Sequence, residues 1–398
     1  MLTVEEALEA ILSHVRLLGT EHVDVLASLG RVLGESVVSR REIPPWANSS
    51  MDGYAVRAAD TGSGAVLRVV GRVEAGVVPA GAVERGEAMR IFTGAPLPAG
   101  ADAVVPQEDV EATDGRIALR GAVDRAAYVR PRGEDVRVGD PVLEPGTLLT
   151  AAEVGLLATL GHAQVRVYRR PRVAILSTGN ELADLGTEPG PGQIPNTNTY
   201  SLMAQVLEAG AQPVSLGVAP DRLDVIEERI RGALDADVLV SSAGVSVGEL
   251  DLVREALARA GAELHLWQVS MRPGKPITYG SLGGRPVFGL PGNPVSAMVT
   301  FELFVRPALL KMSGRRRLAR PRLRVRALAP VPNPGSRRGY LRVRLESTGE
   351  GLGARLTGGQ GSAILRSMVA ADGLAVVEPD TTVPSGGNLE VMVLRELP

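Results

Sequence analysis

No cysteine occurs in the 398 residues, which excludes disulfides, thiolate metal ligands and cysteine nucleophiles. Only four histidines are present. None pair at metal-ligand spacing, which argues against an imidazole-based zinc site. A bound metal is therefore expected to be a hard ion on carboxylates. Aromatic residues make up 3%, so cores must be built from Val, Leu, Ile and Ala. No signal peptide and no apolar run of bilayer length is evident, so a cytoplasmic protein without a membrane partner is expected. The formal net charge is −2 with both signs interspersed, which argues against a nucleic-acid binder. Lysine is nearly missing as well. Of 43 Lys plus Arg, two are lysine, Lys275 and Lys311.

Lys275 lies in the turn Met271-Arg272-Pro273-Gly274-Lys275-Pro276. A lysine kept where arginine does nearly every other cationic job points to a need for a compact point charge. The competing reading is chance. Lys311, beside Arg315, Arg316 and Arg317, reads instead as a solvated residue that complements a helix C-terminus. After Lys275 comes a short strand and a second Pro/Gly turn, Gly289-Leu290-Pro291-Gly292-Asn293-Pro294-Val295-Ser296. Asn293 suits an N-cap and Pro294 the first helical position. The next amides, at Val295 and Ser296, are expected to face an anion.

A chain this long is expected to form two to four domains. Thr3-Val4-Glu5-Glu6 is a capping box, and Ala7, Leu8, Ile11, Leu12, Val15 and Leu18 share one helical face. Residues 45–137 alternate Val-rich strands with Gly/Pro turns and read as a β-rich domain. From Arg172 strands and helices alternate. Arg172–Ser177, Pro213–Val218, Val238–Ser242, Glu263–Val269 and Pro286–Leu290 read as strands. Asn198–Ala209, Arg222–Leu234, Leu252–Ala260 and Pro294–Met312 read as helices. This predicts a mostly parallel sheet in a three-layer α/β domain, with ligands at the strands' carboxyl ends. Beyond Arg320 short alternating strands predict a small barrel-like β domain. The expected division is 1–44 with 138–171, an elongated N-terminal and linker domain; 45–137; 172–312; and 313–398.

The unusual loops fall at the carboxyl ends of the predicted strands: Ser177 to Glu181, Ser241 to Gly248 and Gly289 to Ser296. The small residues of the second, Ser246 among them, would let a ligand approach the backbone, although a plain tight turn fits equally. Acidic residues also cluster at loop positions: Glu181 after the first strand, Asp221 before a helix, and Glu249 and Asp251 after the glycine loop. Asp221 and Asp251 are equally helix caps. With Lys275 and the Asn293 helix start they would frame a pocket with acids on one side and anion donors on the other. Phosphates bound through Mg²⁺ need that combination.

Taken in order, seven stretches resemble one family, the MoeA/gephyrin E-domain molybdopterin molybdenumtransferases. They are Pro45 to Arg57, Ile91 to Pro106, Arg130 to Asp135, Ser177 to Leu182, Ser241 to Gly248, Met271 to Pro276 and Gly289 to Ser296. The first helix and Gln360 to Met368 extend the match over nearly the whole chain. The resemblance implies a homodimer of four-domain subunits, with a molybdopterin-binding α/β domain. It implies insertion of molybdenum from molybdate into adenylylated molybdopterin, with Mg²⁺ and release of AMP. The active site would be shared, with Asp52 and Thr93 supplied by the other subunit. Glu181, Asp221 and Asp251 would line the nucleotide and metal side. Asp135 would be functional too, or simply an exposed turn residue. Arg272, Lys275, Pro291, Asn293, Pro294 and Ser296 would line the pterin and oxyanion side, with Arg342 and Ser362 helping to hold molybdate.

The chain departs from many relatives at Ala243, where a second glycine is common. It also departs at Gln268 and Arg272, where lysines are common. Lys275 and Arg272 are thus left as the expected cations. Two other readings use the same residues. One is a molybdopterin adenylyltransferase, which could equally be a partner. The other is a dimeric scaffold, which would usually carry a further linker and partner domain.

Overall fold

A computed structural model describes residues 1–242, 252–349 and 351–397. The chain forms two compact units. One comprises Met1–Gly34, Gly146–Ala151 and Gln164–Pro398, the other Glu35–Pro145 and Ala152–Ala163.

The larger unit contains the expected α/β layer arrangement. Its sheet runs in the order Gln212–Ala219, Arg172–Thr178, Val238–Ser242, Arg285–Leu290, Pro276–Leu282, Glu263–Gln268. The first four strands are parallel, and Pro276–Leu282 runs antiparallel to both of its neighbours. The strand Arg172–Thr178 is buried at every position after the first, as a strand covered on both faces must be. Val173 and Ile175 pack with the helices Val4–His14, Thr197–Glu208 and Pro294–Thr300. Ala174 and Leu176 point the other way, into Leu223–Gly232 and Leu252–Arg259. Each such fully buried Val, Leu or Ile contributes about 1.5–3 kcal/mol.

The first helix starts as expected. Thr3 caps it, and its hydroxyl and the Glu6 carboxylate complete a capping box. Lys311 departs from its expected solvated role. Its Nζ donates to the Leu12 carbonyl at 2.7 Å, so it complements the C-terminus of a different helix from its own. The expected single helix Pro294–Met312 has a π-helical turn at Phe301–Val305. Pro307 follows at once. Proline has no N–H to give the carbonyl four residues back and its ring would clash there, which a wider turn relieves.

The same unit carries a second sheet closed into a five-stranded barrel. Arg338–Thr348 pairs with Gly351–Leu356, then Arg322–Ala327, Asn388–Val393 and Gly373–Val377, which returns to Arg338–Thr348. Leu341, Val343 and Leu345 alternate into its interior with Val325 and Val391. Met271–Arg272 adds to Arg338–Thr348 in parallel, with Arg272 opposite Gly339.

The smaller unit is built on one six-stranded sheet. Its order is Ala103–Pro106, Gly53–Val56, Glu87–Ile91, Val66–Val73, Arg116–Leu119, Val110–Thr113. Among the described residues no helix is long and apolar enough to cross a membrane.

Candidate functional site

The parallel strands of the larger unit end at a cleft of about 180 Å³. It is lined by Thr178, Glu181, Asn196, Asn198, Ser242 and Pro294 among others. Gly179 turns the chain out of its strand at φ +142°, a conformation costly for a residue with a Cβ. The Glu181 side chain lies over the space such a Cβ would occupy. The loop then pairs with itself, Leu182–Ala183 beside Ile194–Pro195, and enters the next helix. Asn196 caps that helix by accepting from the Thr199 amide at 3.3 Å.

Asn198 braces the cleft. Its Nδ2 donates to Ser242 Oγ and to the Gly292 carbonyl, both at 2.7 Å. One amide thereby ties two of the loops on which the sequence placed ligand residues to the start of the helix Thr197–Glu208. Asp221 sits in the next loop and does not cap its helix, whose N-cap position is Arg222 with no side-chain cap bond. Instead the Asn180 amide donates to Asp221 Oδ2 at 3.2 Å, and the Asp221 amide donates to Asn180 Oδ1 at 3.1 Å. This reciprocal pair joins the loops that carry Glu181 and Asp221. Both residues are exposed. Ser246, Glu249 and Asp251 lie outside the described residues.

Beside the cleft is a group of cations. Gly274 holds the Lys275 turn at φ +100°, with Thr300 Oγ1 where a Cβ would stand. Lys275 is half-buried, and its ammonium has no hydrogen-bond or ion-pair partner among the described residues. Arg272 is exposed and likewise unpaired among them. Arg342 is fully buried. Its Nε donates to Ser367 Oγ at 3.0 Å and its Nη2 to the Gly361 carbonyl at 3.1 Å. Its Nη1 has no partner among the described residues. Burial, and secondarily Arg272 nearby, push its pKa down to about 10. A buried guanidinium with no carboxylate is costly, and an oxyanion is the ligand that offsets that cost.

The helix start differs from expectation. Asn293 occupies the N-cap position and Pro294 the first turn, but the Asn293 side chain makes no cap bond. The Val295 amide is not free for a ligand either. It donates to the Ser362 carbonyl at 3.0 Å, because the 358–364 segment folds over this end of the helix. That bond brings Ser362 to the helix that carries Ser296, and Gln360 anchors the segment by bonding both the amide and the carbonyl of Arg342. Pro291 ends its strand at the same turn.

In the smaller unit Asp52 and Thr93 come together. Asp52 Oδ1 accepts from both the amide and the hydroxyl of Thr93, each at 2.8 Å. Those two bonds, then Arg90 nearby, hold the carboxyl below the usual carboxylate range. Asp135 is exposed on a different turn and makes no side-chain bond to either among the described residues. Sequence reasoning missed Asn198, Gln360 and Arg90. The run Asn196-Thr197-Asn198-Thr199 was the available signal for the first.

With this geometry in view, the comparisons with known proteins agree over the whole chain. Residues 2–161 match the model of the MoeA N-terminal region, domains I and II. Residues 174–311 match a probable molybdopterin binding domain, and residues 324–394 the MoeA C-terminal region, domain IV. The chain is 38% identical over 388 residues to a molybdopterin molybdenumtransferase of a Nostoc species, covering 94% of this chain and 88% of that one. It is 37% identical to molybdopterin molybdenumtransferase 2 of Mycobacterium tuberculosis, covering 98% and 99%. A solved structure of the molybdopterin biosynthesis MoeA protein from Pyrococcus horikoshii covers all of both chains at 34% identity with a TM-score of 0.84. The chain belongs to the MoeA family.

Proposed function

We propose that this protein is a molybdopterin molybdenumtransferase acting in molybdenum cofactor biosynthesis. It takes adenylylated molybdopterin and molybdate, releases AMP, and leaves molybdenum on the pterin dithiolene. The observation that carries this reading is the buried Arg342, without a carboxylate and with Nη1 unpartnered among the described residues, near Arg272. Molybdate is a tetrahedral dianion and suits guanidinium, ammonium and hydroxyl donors as phosphate does. The sulfurs that receive the metal belong to the pterin, so a chain without cysteine can do this chemistry.

In this reading Lys275, Arg272 and Arg342 bind molybdate, with Ser296 and Ser362 as neutral donors. Pro291, Asn293 and Pro294 form the wall for the pterin, and Ser246, outside the described residues, is included as a further pterin-binding residue. Asn198 keeps that wall and the Ser242 strand end at a fixed spacing. Asp52 and Thr93 come from the second subunit of a homodimer, with Asp135 on the same side. Asp52 accepts two hydrogen bonds from Thr93, which suits a role in orienting a donor.

Mg²⁺ is part of the proposal. Among the described residues there is no cluster of three or more His, Asp or Glu able to hold a metal by itself. Glu181 and Asp221 still fit Mg²⁺, since the Asn180 pair keeps their loops together and one or two carboxylates plus phosphate oxygens and water satisfy this ion. Asp251 completes the proposed set. The ion would shield the charge of the phosphoanhydride that breaks. The same proposal includes a cytoplasmic location and the division of the chain into 1–44 with 138–171, 45–137, 172–312 and 313–398.

The test is AMP release from adenylylated molybdopterin with Mg²⁺, with and without molybdate. Release that requires molybdate supports insertion. Formation of adenylylated product from ATP and molybdopterin would replace it with adenylyl transfer. Neither activity would leave a binding or scaffold protein.

A further inference from the structure

Three segments of the smaller unit converge on Asp52, and one side chain touches all three. Asp52 ends the turn before the strand Gly53–Val56, and Thr93 follows the strand Glu87–Ile91 by two residues. Gln107 follows the strand Ala103–Pro106, and its amide donates to the Asp52 carbonyl at 3.1 Å. Arg90 lies at the centre of this arrangement. Sheet register sets it between Tyr54 on one neighbouring strand and Arg72 on the other. Its Nη1 donates to the carbonyl of Gly53, the residue after Asp52, at 3.2 Å. Its Nη2 donates to Gln107 Oε1. Its guanidinium lies 5.0 Å from the ring centroid of Tyr54 and 5.0 Å from that of Phe92, the residue before Thr93. Arg72 stacks on the same Phe92 ring at 4.8 Å.

We infer that Arg90 is the positioning residue of the Asp52–Thr93 pair, gripping the chain on both sides of it and supplying its nearest cation. The inference rests on the proposed role of Asp52 and Thr93 in the reaction. The geometry needs arginine. A planar guanidinium can stack on two rings and still direct separate N–H groups to Gly53 and Gln107, whereas an ammonium is a single point on a flexible stem. Two aromatic rings, from a chain with few, are used to hold one arginine in a strand beside an exposed carboxylate. A surface arginine whose only work was solubility would not need them. Arg90 also favours the ionised form of Asp52, as a cation nearby must.

The experiment compares R90Q, R90K and D52N in the full-length enzyme, by molybdate-dependent AMP release and by the pH profile of kcat/KM. Thermal unfolding checks each variant. A displaced catalytic group costs about tenfold to a hundredfold in kcat. R90Q is expected to lose that much kcat, with KM within about threefold of wild type because Arg90 itself does not touch substrate. Its acid limb moves to higher pH, because Asp52 loses a neighbouring cation. R90K restores the position of the limb but not the full kcat. D52N is inactive throughout. A folded R90Q with wild-type kcat and an unmoved limb, while D52N is inactive, overturns the inference and leaves the role of Asp52 standing. An active D52N overturns both. If R90Q does not fold, Q107L removes one Arg90 acceptor from an exposed position. A smaller loss of kcat at unchanged KM supports the inference, and wild-type kcat in both Q107L and R90K overturns it.

Discussion

The larger unit buries two charged side chains in opposite ways. Glu302 is 5% exposed and fully answered. Arg320 donates to it through Nε at 2.9 Å and Nη2 at 3.2 Å, Gln205 donates at 3.1 Å, and Arg306 stands 3.8 Å away. Arg342 is 0% exposed and among the described residues meets only neutral oxygens, with another arginine as its charged neighbour. Desolvation costs several kcal/mol per ion in either place. At Glu302 the protein offsets that cost from within, which gives a closed structural lock between the π-helical turn and the strand that follows Arg320. At Arg342 it does not among the described residues, and in the proposed function the bound oxyanion supplies the offset. The complete centre holds the fold together, while the incomplete one is where the proposal puts the anion.

The comparison is most severely strained by breaking the closed centre. Arg320→Met leaves Glu302 without its bidentate partner and is expected to destabilise the fold by about 3 kcal/mol or more in urea unfolding, while the folded enzyme keeps its kcat. A large fall in kcat at unchanged stability would reverse the assignment of the two centres. The open centre should behave in the opposite way. Arg342→Met and Lys275→Ala are each expected to lower molybdate-dependent turnover about a hundredfold. Arg342→Met should leave stability within about 1 kcal/mol of wild type, because a methionine has no charge to bury. Wild-type turnover in either variant would remove it from the anion site.

Mixing subunits sharpens the contrast between the two units of the chain. Asp52→Ala and Glu181→Ala homodimers should both be inactive. A verified heterodimer of the two should regain activity at one composite site, and an inactive heterodimer would count against a shared site. The smallest effect is expected from Thr93→Val, which removes the hydroxyl bond and leaves the amide bond to Asp52. The Asp52 carboxyl lies below the usual range chiefly through Thr93. Its ionised form therefore persists to lower pH than in the unfolded chain. Losing one bond raises that pKa, and the acid limb of kcat/KM should move to higher pH. A limb that stays in place or moves down would contradict the Asp52 assignment.

Much of the fold was legible because burial on two faces leaves a plain record. Val238–Ser242 was read with the bounds the structure has, and Arg172–Thr178 differs by one residue. The capping box at Thr3 was equally direct, since its bonds are local. The misses came where a distant segment decides the outcome. Asn293 looks like a cap, but it makes no cap bond and the Val295 amide goes to a carbonyl 67 residues later in the chain, that of Ser362. Lys311 looks solvated but reaches the first helix. Arg342 is the clearest case. It alternates with Leu341 and Val343, and that period-two pattern places it on the outer face of the barrel, where a solvated arginine is expected. The 358–364 segment and the helix Leu365–Val369 cover that face, and no local pattern announces it. For Arg342 and Ser362 periodicity suggests no anion role; the resemblance alone implies it, and it is part of the proposed function. Arg90 was missed by both, since its four contacts come from three separate segments.

The central claim is that the open cationic centre holds molybdate. Titration calorimetry of molybdate into the full-length protein and into Arg342→Met tests it most directly. A hydrogen bond from a charged donor is worth about 1.5–3 kcal/mol, which corresponds to roughly tenfold to over a hundredfold in affinity. The expected result is binding to the wild-type protein that weakens by that factor in Arg342→Met, with the fold unchanged. Equal affinity in the two proteins would contradict the account.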